Sequence, residues 1–367
     1  LYYDLAASIS YSTWLSGSVL SLYSLDSNLY KMLPVFVDGL LHPDWSEQVF
    51  ENLLNDYHSA VQETLNDPEE LLDYEASEQI YAGHPYEVST GVTPGSIDSI
   101  TLQNIKALHP VLLAKDGMFV VAVGNINARK LLRTLNKTIG KLEETSFSVA
   151  EQIEVPPVTI TKEPPVVLSH PAAAGGGYAK RIFAAPANTS SDYVPAILAG
   201  SIYSDIMFNV VREKNGVCYT PYSYIVGSKA PCGSEVLVSL SNYTDFAAAM
   251  AEARNLMAEG RVITGLNEAG GYTYADLSDV LQSYKNKSIN SQYGSQASTE
   301  SLAKNLAYNI MQFNDINRSE HLLEAIHEAT PNDILRVFRT YWLEGQSRWF
   351  VIVGSDNVTD VEQALAE

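Results

Sequence analysis

Cysteine is almost absent from this chain. Only Cys218 and Cys232 occur among 367 residues, and both belong to one predicted hairpin whose turn lies near residues 228–230. Because the strands of a hairpin run antiparallel, Cys218 should lie closer to Leu240 than to Cys232. A disulfide needs two adjacent, correctly oriented side chains, so we expect two buried or unused thiols. The number of cysteines does not identify the cellular compartment of the protein.

Basic residues are also scarce. Lys and Arg number 23 against 43 Asp and Glu, which gives a net charge of −20. This balance argues against nucleic acid or an anionic membrane as the main partner, because no basic patch could dominate such a field. An acidic surface suits cationic peptides, and it serves plain solubility equally well.

The sequence has no apolar run of the length of a membrane span and no signal-like leader. It does not begin with Met, and residues 1–7 resemble the inside of a domain, so we expect the native N-terminus to lie elsewhere. With 46% hydrophobic residues, the chain can bury substantial cores and is long enough for two domains.

Hydrophobic periodicity predicts a mixture of helices and strands. Alternation predicts strands over 8–25, as a hairpin, and over 217–226 and 236–240, and a continuous apolar run predicts one over 117–124. Helical spacing predicts helices over 28–41, 45–67, 70–81, 101–108, 128–139, 193–211 and 246–257. Thr101 is the expected N-cap of its helix.

A Pro-rich segment, 143–165, predicts an extended linker, and beyond it the pattern of the chain repeats. The Thr-capped helix and apolar strand of 100–124 recur at 329–354, and the Gly-Ser strand and helix that start at Gly17 recur at Gly233. Two matches in the same order indicate two copies of one unit.

The predicted fold class is therefore α+β. We expect two homologous units, 1–150 and 151–367, each a mainly antiparallel sheet with helices packed on one face. The second unit has strands and a helix ahead of Gly233 that have no counterpart ahead of Gly17. The first unit should thus be truncated at its start.

The sequence Val211-Arg-Glu-Lys-Asn-Gly-Val-Cys-Tyr219 joins a predicted helix to a predicted strand. Its charges and its Asn-Gly pair are a helix stop signal, so Arg212 should lie at a helix end and Tyr219 at a strand start. A guanidinium and a phenol held side by side could grip a carboxylate or a backbone carbonyl of a ligand. The structural alternative is an Arg that closes a helix against its dipole, next to a half-buried Tyr.

The repeat and this turn together resemble the insulinase-type zinc metallopeptidases, the family of insulin-degrading enzyme and the mitochondrial processing peptidase. The resemblance spans nearly the whole chain. Its most specific piece is Arg212 to Tyr219, supported by His84-Pro85-Tyr86, Gly91 and Gly124. It implies that Arg212 donates hydrogen bonds to a substrate peptide carbonyl and that Tyr219 hydrogen-bonds near the tetrahedral intermediate, beside a zinc site contributed by another unit.

The zinc site of the family is missing from this sequence. The family uses an inverted His-x-x-Glu-His helix and a downstream Glu, and none of the seven histidines lies in such a motif. Aligned with the family, the chain has Ala60 in place of the zinc Glu and Leu53 in place of its companion, while His58 and Glu63 are out of register. The resemblance implies zinc in the complete assembly, none in this chain, and no activity of this chain alone.

Three other features have both a functional and a structural interpretation. His321 and His327 are six residues apart, not the four that would put two ligands on one helical face, which favours a solvated helix. Residues 172–177 lack the Gly-Lys-Ser/Thr of a phosphate loop and predict a flexible turn into a strand, or a close-approach site for a peptide. Tyr222 and Tyr224 share a strand face and either line a groove near the Arg turn or pack across strands.

The resemblance, with its zinc motif missing, implies a non-catalytic partner subunit, or half, of a peptide-degrading or peptide-processing zinc peptidase, paired with a catalytic zinc-bearing chain as a heterodimer. One alternative is the C-terminal half of a single longer protease. Another is a structural or assembly subunit without proteolytic function, like the core subunits of the respiratory cytochrome bc complex. A homodimer also stays open, and the sequence names neither substrate nor compartment.

Overall fold

The computed structural model describes residues 4–14, 17–89, 94–142, 155–267 and 271–366. Its contacts form two compact units. The first comprises Leu1–Val61, Val92–Glu154 and Tyr293–Arg318, and the second comprises Gln62–Gly91, Val155–Gln292 and Ser319–Glu367. The division of the chain into 1–150 and 151–367 stays a prediction, and the segments 62–91 and 293–318 each group with the other half of the chain.

The described strands are β1 (Ser8–Trp14), β2 (Gly17–Tyr23), β3 (Val166–Ser169), β4 (Gly177–Ala184), β5 (Cys218–Ile225), β6 (Cys232–Leu240), β7 (Arg261–Leu266), β8 (Tyr272–Asp276) and β9 (Ser347–Val353). The described α-helices are α1 (Leu29–Leu41), α2 (Glu47–Asn66), α3 (Pro68–Ile80), α4 (Pro94–Asp98), α5 (Leu102–Leu112), α6 (Ala128–Lys137), α7 (Tyr193–Met207), α8 (Phe246–Ala258), α9 (Leu277–Gly294), α10 (Thr299–Phe313), α11 (Arg318–Glu328), α12 (Pro331–Phe338) and α13 (Val358–Ala366).

A five-stranded sheet organises the second unit, with the strand order β3-β9-β4-β6-β5. β3 pairs with β9 in parallel, and every other neighbouring pair is antiparallel. The inner strands β6 and β9 are rich in Val, Ile and aromatic residues, which suit a pleated, buried surface. The predicted α+β class with a mainly antiparallel sheet is confirmed.

Helices α7, α8 and α12 cover one face of this sheet. Their apolar side chains, such as Leu198, Met250 and Val337, form one buried core with Phe183 and Leu237 of the sheet. α7 is apolar all round, which is typical of a helix buried in a core. The main helical layer therefore lies on one face, as predicted.

The other face of the sheet is covered in part by α3 and by a segment predicted to be linker. Residues 143–154 lie outside the described residues, and 155–165 form no helix or strand. Val158 and Ile160 are nonetheless buried with Leu72 of α3 against this face. The linker prediction is thus wrong for this stretch, because apolar burial can fix an extended segment that has no periodicity.

The first unit contains the predicted hairpin, in which Tyr11 of β1 pairs with Leu20 of β2. The strand predicted over 117–124 is wrong: residues 118–123 form neither helix nor strand, and Phe119 and Val120 are exposed. A strand requires a hydrogen-bonded neighbour, and β1 and β2 form the only ladder among the described residues of this unit. Strand preference alone does not make a sheet.

Both copies of the Thr-capped helix form the same local structure. Thr101 caps α5 in a capping box with Asn104, and Thr330 caps α12 in a capping box with Asp333. In each box the Thr side chain satisfies an otherwise unpaired backbone N–H of the first turn. The repeat is therefore visible in the matching N-caps of α5 and α12. Among the described residues, only α12 is followed by a paired strand, β9.

One helix is longer and more apolar than the sequence reading allowed. Residues 193–214 form a helix that is long and apolar enough to cross a membrane, but most of its apolar part is buried inside the protein. The expectation that no run reaches this length is corrected, and the burial identifies the helix as the core helix of the second unit.

The two cysteines occupy the positions predicted for them. Cys218 pairs with Leu240 across β5 and β6, and both thiols are free and buried. Burial raises the pKa of Cys218 to about 12, although the positive charge of Arg212 acts in the opposite direction and lowers this pKa. Burial likewise raises the pKa of Cys232 to about 11. Both thiols should be unreactive until the second unit unfolds.

A buried ionic cluster joins the sheet to its helical layer. Glu235 of β6 is fully buried and accepts hydrogen bonds from Arg254 of α8, and it lies 3.2 Å from the Arg181 guanidinium of β4. Burial alone would raise the pKa of Glu235, but the charges and hydrogen bonds of both arginines hold it below its ordinary value of 4.5. Arg181 also donates to the Trp342 carbonyl (2.8 Å), so the cluster reaches the segment after α12.

Replacing Glu235 by Ala should lower the free energy of unfolding of the second unit by about 3–5 kcal/mol, because two buried arginines lose their counter-charge. The exposed pair of Arg261 and Glu259 (3.7 Å) provides the control, and Glu259→Ala should cost less than about 1 kcal/mol. Thiol labelling in urea measures this unit alone, because both cysteines belong to it.

The contribution of Glu235 should also depend on pH. Its pKa is depressed in the folded state, so the stabilisation is complete above pH 4.5 and is lost as the pH falls through the folded pKa. An unchanged urea midpoint in the Glu235→Ala variant would show that the cluster contributes nothing net.

Candidate functional site

Arg212 lies in the last turn of the core helix. α7 ends at Met207 and continues as a π-helical turn, Phe208–Lys214, so the helix predicted to end at Val211 runs further. In this turn the N–H of Asn215 donates to the carbonyl of Val210 (3.1 Å). Turns with such i→i+5 bonds are rare and are frequent at functional sites.

The chain reverses directly after this turn, through Asn215 and Gly216. Gly216 has a φ of +59°, which glycine adopts without strain, and its N–H donates to the carbonyl of Arg212 (2.9 Å). The side-chain amide of Asn215 donates to the carbonyl of Val210 (2.9 Å). The Asn-Gly pair therefore closes the helix, and β5 begins two residues later at Cys218, as predicted.

Ser204 of α7 fixes the position of β5 against the helix. Its hydroxyl accepts the N–H of Ser223 (2.8 Å) and lies 2.9 Å from the carbonyl oxygen of the same residue. The indole N–H of Trp342 donates to the Ser223 hydroxyl (3.0 Å). Because these groups are buried or half-buried, their hydrogen bonds hold the helix and the strand in one register.

This register brings Arg212 and Tyr219 into direct contact. The guanidinium carbon lies over the Tyr219 ring, 4.5 Å from its centroid, and over the Phe208 ring, 4.7 Å from its centroid. The Arg212 Nε lies 3.2 Å from the Glu213 carboxylate. Arg212 is 31% exposed and Tyr219 is 65% exposed. The two residues are adjacent, and their role in substrate binding stays a prediction.

Tyr219 belongs to an edge strand. Within the described residues, β5 pairs with β6 on one side and with no strand on the other. Pro221, which has no N–H, is tolerated at such an edge. An edge strand can accept an extended peptide as an added strand. The edge of β5 and the guanidinium of Arg212 can therefore hold a peptide backbone and one of its carbonyl or carboxylate groups.

Tyr222 and Tyr224 lie away from the Arg212 turn. The hydroxyl of Ser223, between them, accepts the indole N–H of Trp342 in the core under the helical layer, so the two tyrosines point to the opposite face of the sheet. Their rings stack there with centroids 5.8 Å apart, and Lys180, which donates to Asp73 of α3 (2.7 Å), lies over Tyr224. The groove interpretation near the Arg turn is wrong, and packing accounts for both residues.

Residues 172–177 are a turn into a strand, as predicted. A 3-10 helix, Pro171–Gly175, leads into β4, which begins at Gly177. A Cβ at Gly177 would lie 2.6 Å from a methyl carbon of Val353 and 2.9 Å from the carbonyl oxygen of Ile352. The close approach at this glycine is to β9, and it needs no ligand.

The residues present do not fit a zinc ion. No group of three His, Cys, Asp or Glu side chains in the described part of the chain could hold a metal. His58 of α2 instead lies 3.3 Å from Asp98, and Leu53 is exposed to solvent. Of the candidate pair His321 and His327, His327 lies at the end of α11. Its backbone carbonyl accepts a hydrogen bond from Lys285 (2.7 Å), which is a structural role. The absence of zinc from this chain stays a prediction.

Sequence reasoning missed Phe208. It lies four residues before Arg212, the spacing at which side chains on a helix meet, and it is 41% exposed although the rest of the helix is largely buried. An aromatic residue four positions ahead of a candidate ligand-binding Arg is the signal that could have identified it.

Comparison with known proteins shows what part of the chain and its fold resemble. Residues 99–260, a little under half of the chain, match the sequence model of the family described as "Peptidase M16 inactive domain". No curated protein matches the sequence significantly. The resemblance to insulinase-type peptidases is thus confirmed, and the matched family is their inactive domain.

Solved structures share the fold over nearly the whole chain. A protease from Helicobacter pylori is 16% identical with a TM-score of 0.77, covering 96% of this chain and 82% of its own. A peptidase M16 inactive domain from Pseudomonas fluorescens is 15% identical with a TM-score of 0.75, with the same coverage of 96% and 82%. Complex III2 from Candida albicans contains a chain that is 12% identical with a TM-score of 0.67, covering 98% and 85%. At these identities the likeness establishes the fold alone.

Replacing Gly216 by Ala should lower the free energy of unfolding of the second unit by about 1 kcal/mol, because a Cβ is strained at this positive φ. Gly175→Ala is the matched control, because no atom lies within 4 Å of an added Cβ there and no left-handed φ is required. Thiol labelling in urea measures both variants. Equal midpoints for the two would contradict the conformational role of Gly216.

Proposed function

We propose that this chain is the non-catalytic partner of an insulinase-type zinc peptidase. In this proposal Arg212 and Tyr219 bind the backbone of a peptide substrate, and a separate catalytic chain or half holds the zinc and the general base. The carrying observation is the contact of Arg212 with Tyr219 beside the edge strand β5. The match to an inactive M16 domain supports the division of labour.

The chemistry of the two residues supports this role. Neither Nη nitrogen of Arg212 has a protein partner among the described residues, so both can donate to a carbonyl oxygen of a bound peptide. The exposed phenol of Tyr219 can donate a further hydrogen bond to an oxygen that gains negative charge during attack on the peptide. Because the residues present do not fit zinc, we derive no step through the metal in this chain.

The edge of β5 suggests how the substrate is held. An extended peptide that adds to an edge strand is recognised mainly through its backbone, which allows many sequences to bind. Peptides and small unfolded proteins are therefore the proposed substrate class. The net charge of −20 would favour cationic ones through long-range attraction.

A protein partner is supported by the surface of the first unit. Most of the large hydrophobic side chains that the described residues expose belong to this unit. On α2 they form a stripe at i, i+4 and i+8, namely Val49, Leu53 and Tyr57, and on α5 they include Leu108 and Leu112. Contiguous exposed apolar surface marks sites of protein association.

The same surface also favours a second candidate function, that of a structural subunit in a permanent assembly. The fold likeness to a chain of Complex III2 from Candida albicans supports it. A structural subunit would need a large apolar interface but would not depend on Arg212. The two candidates therefore differ in what substitution of Arg212 does.

Light scattering coupled to size exclusion, with zinc analysis, should show the protein from its native source in a complex with a second chain and about one zinc. Zinc added to the isolated chain should confer no peptidase activity, because no group of side chains among the described residues could hold the metal. A zinc-free monomer or homodimer from the native source would contradict the partner-subunit proposal.

In the reconstituted complex, Arg212→Ala and Tyr219→Phe should each lower kcat/KM for peptide hydrolysis, by about 100-fold for Arg212→Ala, because a preorganised donor is lost. Assembly, measured by size exclusion, should not change. Arg261→Ala is the control, because Arg261 also lies over a tyrosine, Tyr274 (4.2 Å), but outside the site. Unchanged turnover would favour the structural subunit.

A further inference from the structure

The guanidinium of Arg212 is constrained on several sides. Its carbon lies over the faces of two aromatic rings, Phe208 at 4.7 Å and Tyr219 at 4.5 Å. Its Nε lies 3.2 Å from Glu213. Only the edge that carries the two Nη nitrogens has no partner among the described residues.

These contacts come from two elements, the turn that carries Arg212 itself and the strand β5. Phe208 begins the π-helical turn, and Glu213 belongs to the same turn. Tyr219 comes from β5, whose register to α7 is set by the hydrogen bonds between Ser204 and Ser223. An Arg side chain has several rotatable bonds and loses much rotamer freedom when it is held. Contacts from separate elements remove that freedom before any ligand binds.

We propose that Phe208 is a positioning residue of this site. Together with Tyr219 it holds the Arg212 guanidinium by cation–π contacts, so that the Nη edge is presented to the ligand in one orientation. The ligand-binding half of this inference rests on the proposed function, whereas the positioning of Arg212 does not. The ligand chemistry that fits two parallel N–H groups is a carboxylate or the carbonyl groups of an extended peptide.

An exposed ring on this helix is otherwise unexplained. The helix is largely buried, and yet Phe208 is 41% exposed. A polar residue at this position would be better solvated. A cation–π contact accounts for the aromatic side chain, because the ring face attracts the guanidinium whereas an aliphatic side chain of similar size does not.

The positioning is measured on the full-length chain by NMR of the arginine Nε–Hε groups, with the Arg212 signal assigned by its loss in Arg212→Lys. In the native protein this signal should be shifted by the ring currents of Phe208. Phe208→Leu should remove that part of the shift, and Phe208→Tyr should keep it. Tyr274→Leu, which removes the ring beneath Arg261 (4.2 Å), is the control and should move the Arg261 signal alone.

The consequence for binding is measured with acetyl-tetra-alanine as the probe, with a free C-terminal carboxylate or with a C-terminal amide. Titration should shift the Arg212 signal, and Phe208→Leu should weaken binding by about two- to fivefold, the size expected of an exposed cation–π contact. Phe208→Tyr should restore the affinity, which a purely structural role in the core would not require.

The outcomes separate the two proposals. An Arg212 signal that is unchanged in Phe208→Leu would overturn the positioning role. A lost ring-current shift with unchanged probe affinity would overturn it too, because Phe208 would then touch Arg212 without affecting binding. If neither probe shifts Arg212 in the native chain, the proposed function fails, and the ring-current shift alone still decides whether Phe208 positions Arg212.

Discussion

The burial of α7 against the five-stranded sheet is the constraint on which the site depends. The helix is apolar around its circumference, and its residues form one core with β4, β6 and the neighbouring helices. Since the half-buried hydroxyl of Ser204 also fixes β5, the end of the helix and the start of the strand cannot move independently. The contact between Arg212 and Tyr219 follows from this packing.

The arrangement separates the stability of the second unit from its candidate chemistry. The ionic cluster of Glu235 with its two arginines is buried in the middle of the sheet and its helical layer. Arg212 and Tyr219 lie at the periphery, on a helix end and an edge strand, where a ligand can approach. A rigid scaffold with exposed polar groups at its margin is a common way to build a binding site.

Much of the secondary structure could be predicted, because it depends on local signals. Thr101 and Thr330 cap their helices through side chains three residues apart, and Asn215 with Gly216 ends the core helix. The apolar run at 118–123 was mispredicted because a strand depends on a neighbour that may be remote in sequence. The buried segment at Val158 was mispredicted for the same reason, since its partners are the sheet and α3.

The sequence by itself determined the fold class, the free state of both cysteines and the positions of Arg212 and Tyr219 on either side of one turn. Spacing and pairing direction suffice for each of these. Only the tertiary structure decided that the guanidinium lies over two rings, that Phe208 is one of them, and that Tyr222 and Tyr224 point to the other face. The physical reason is that side-chain orientation is set by packing between elements, which local sequence patterns do not encode.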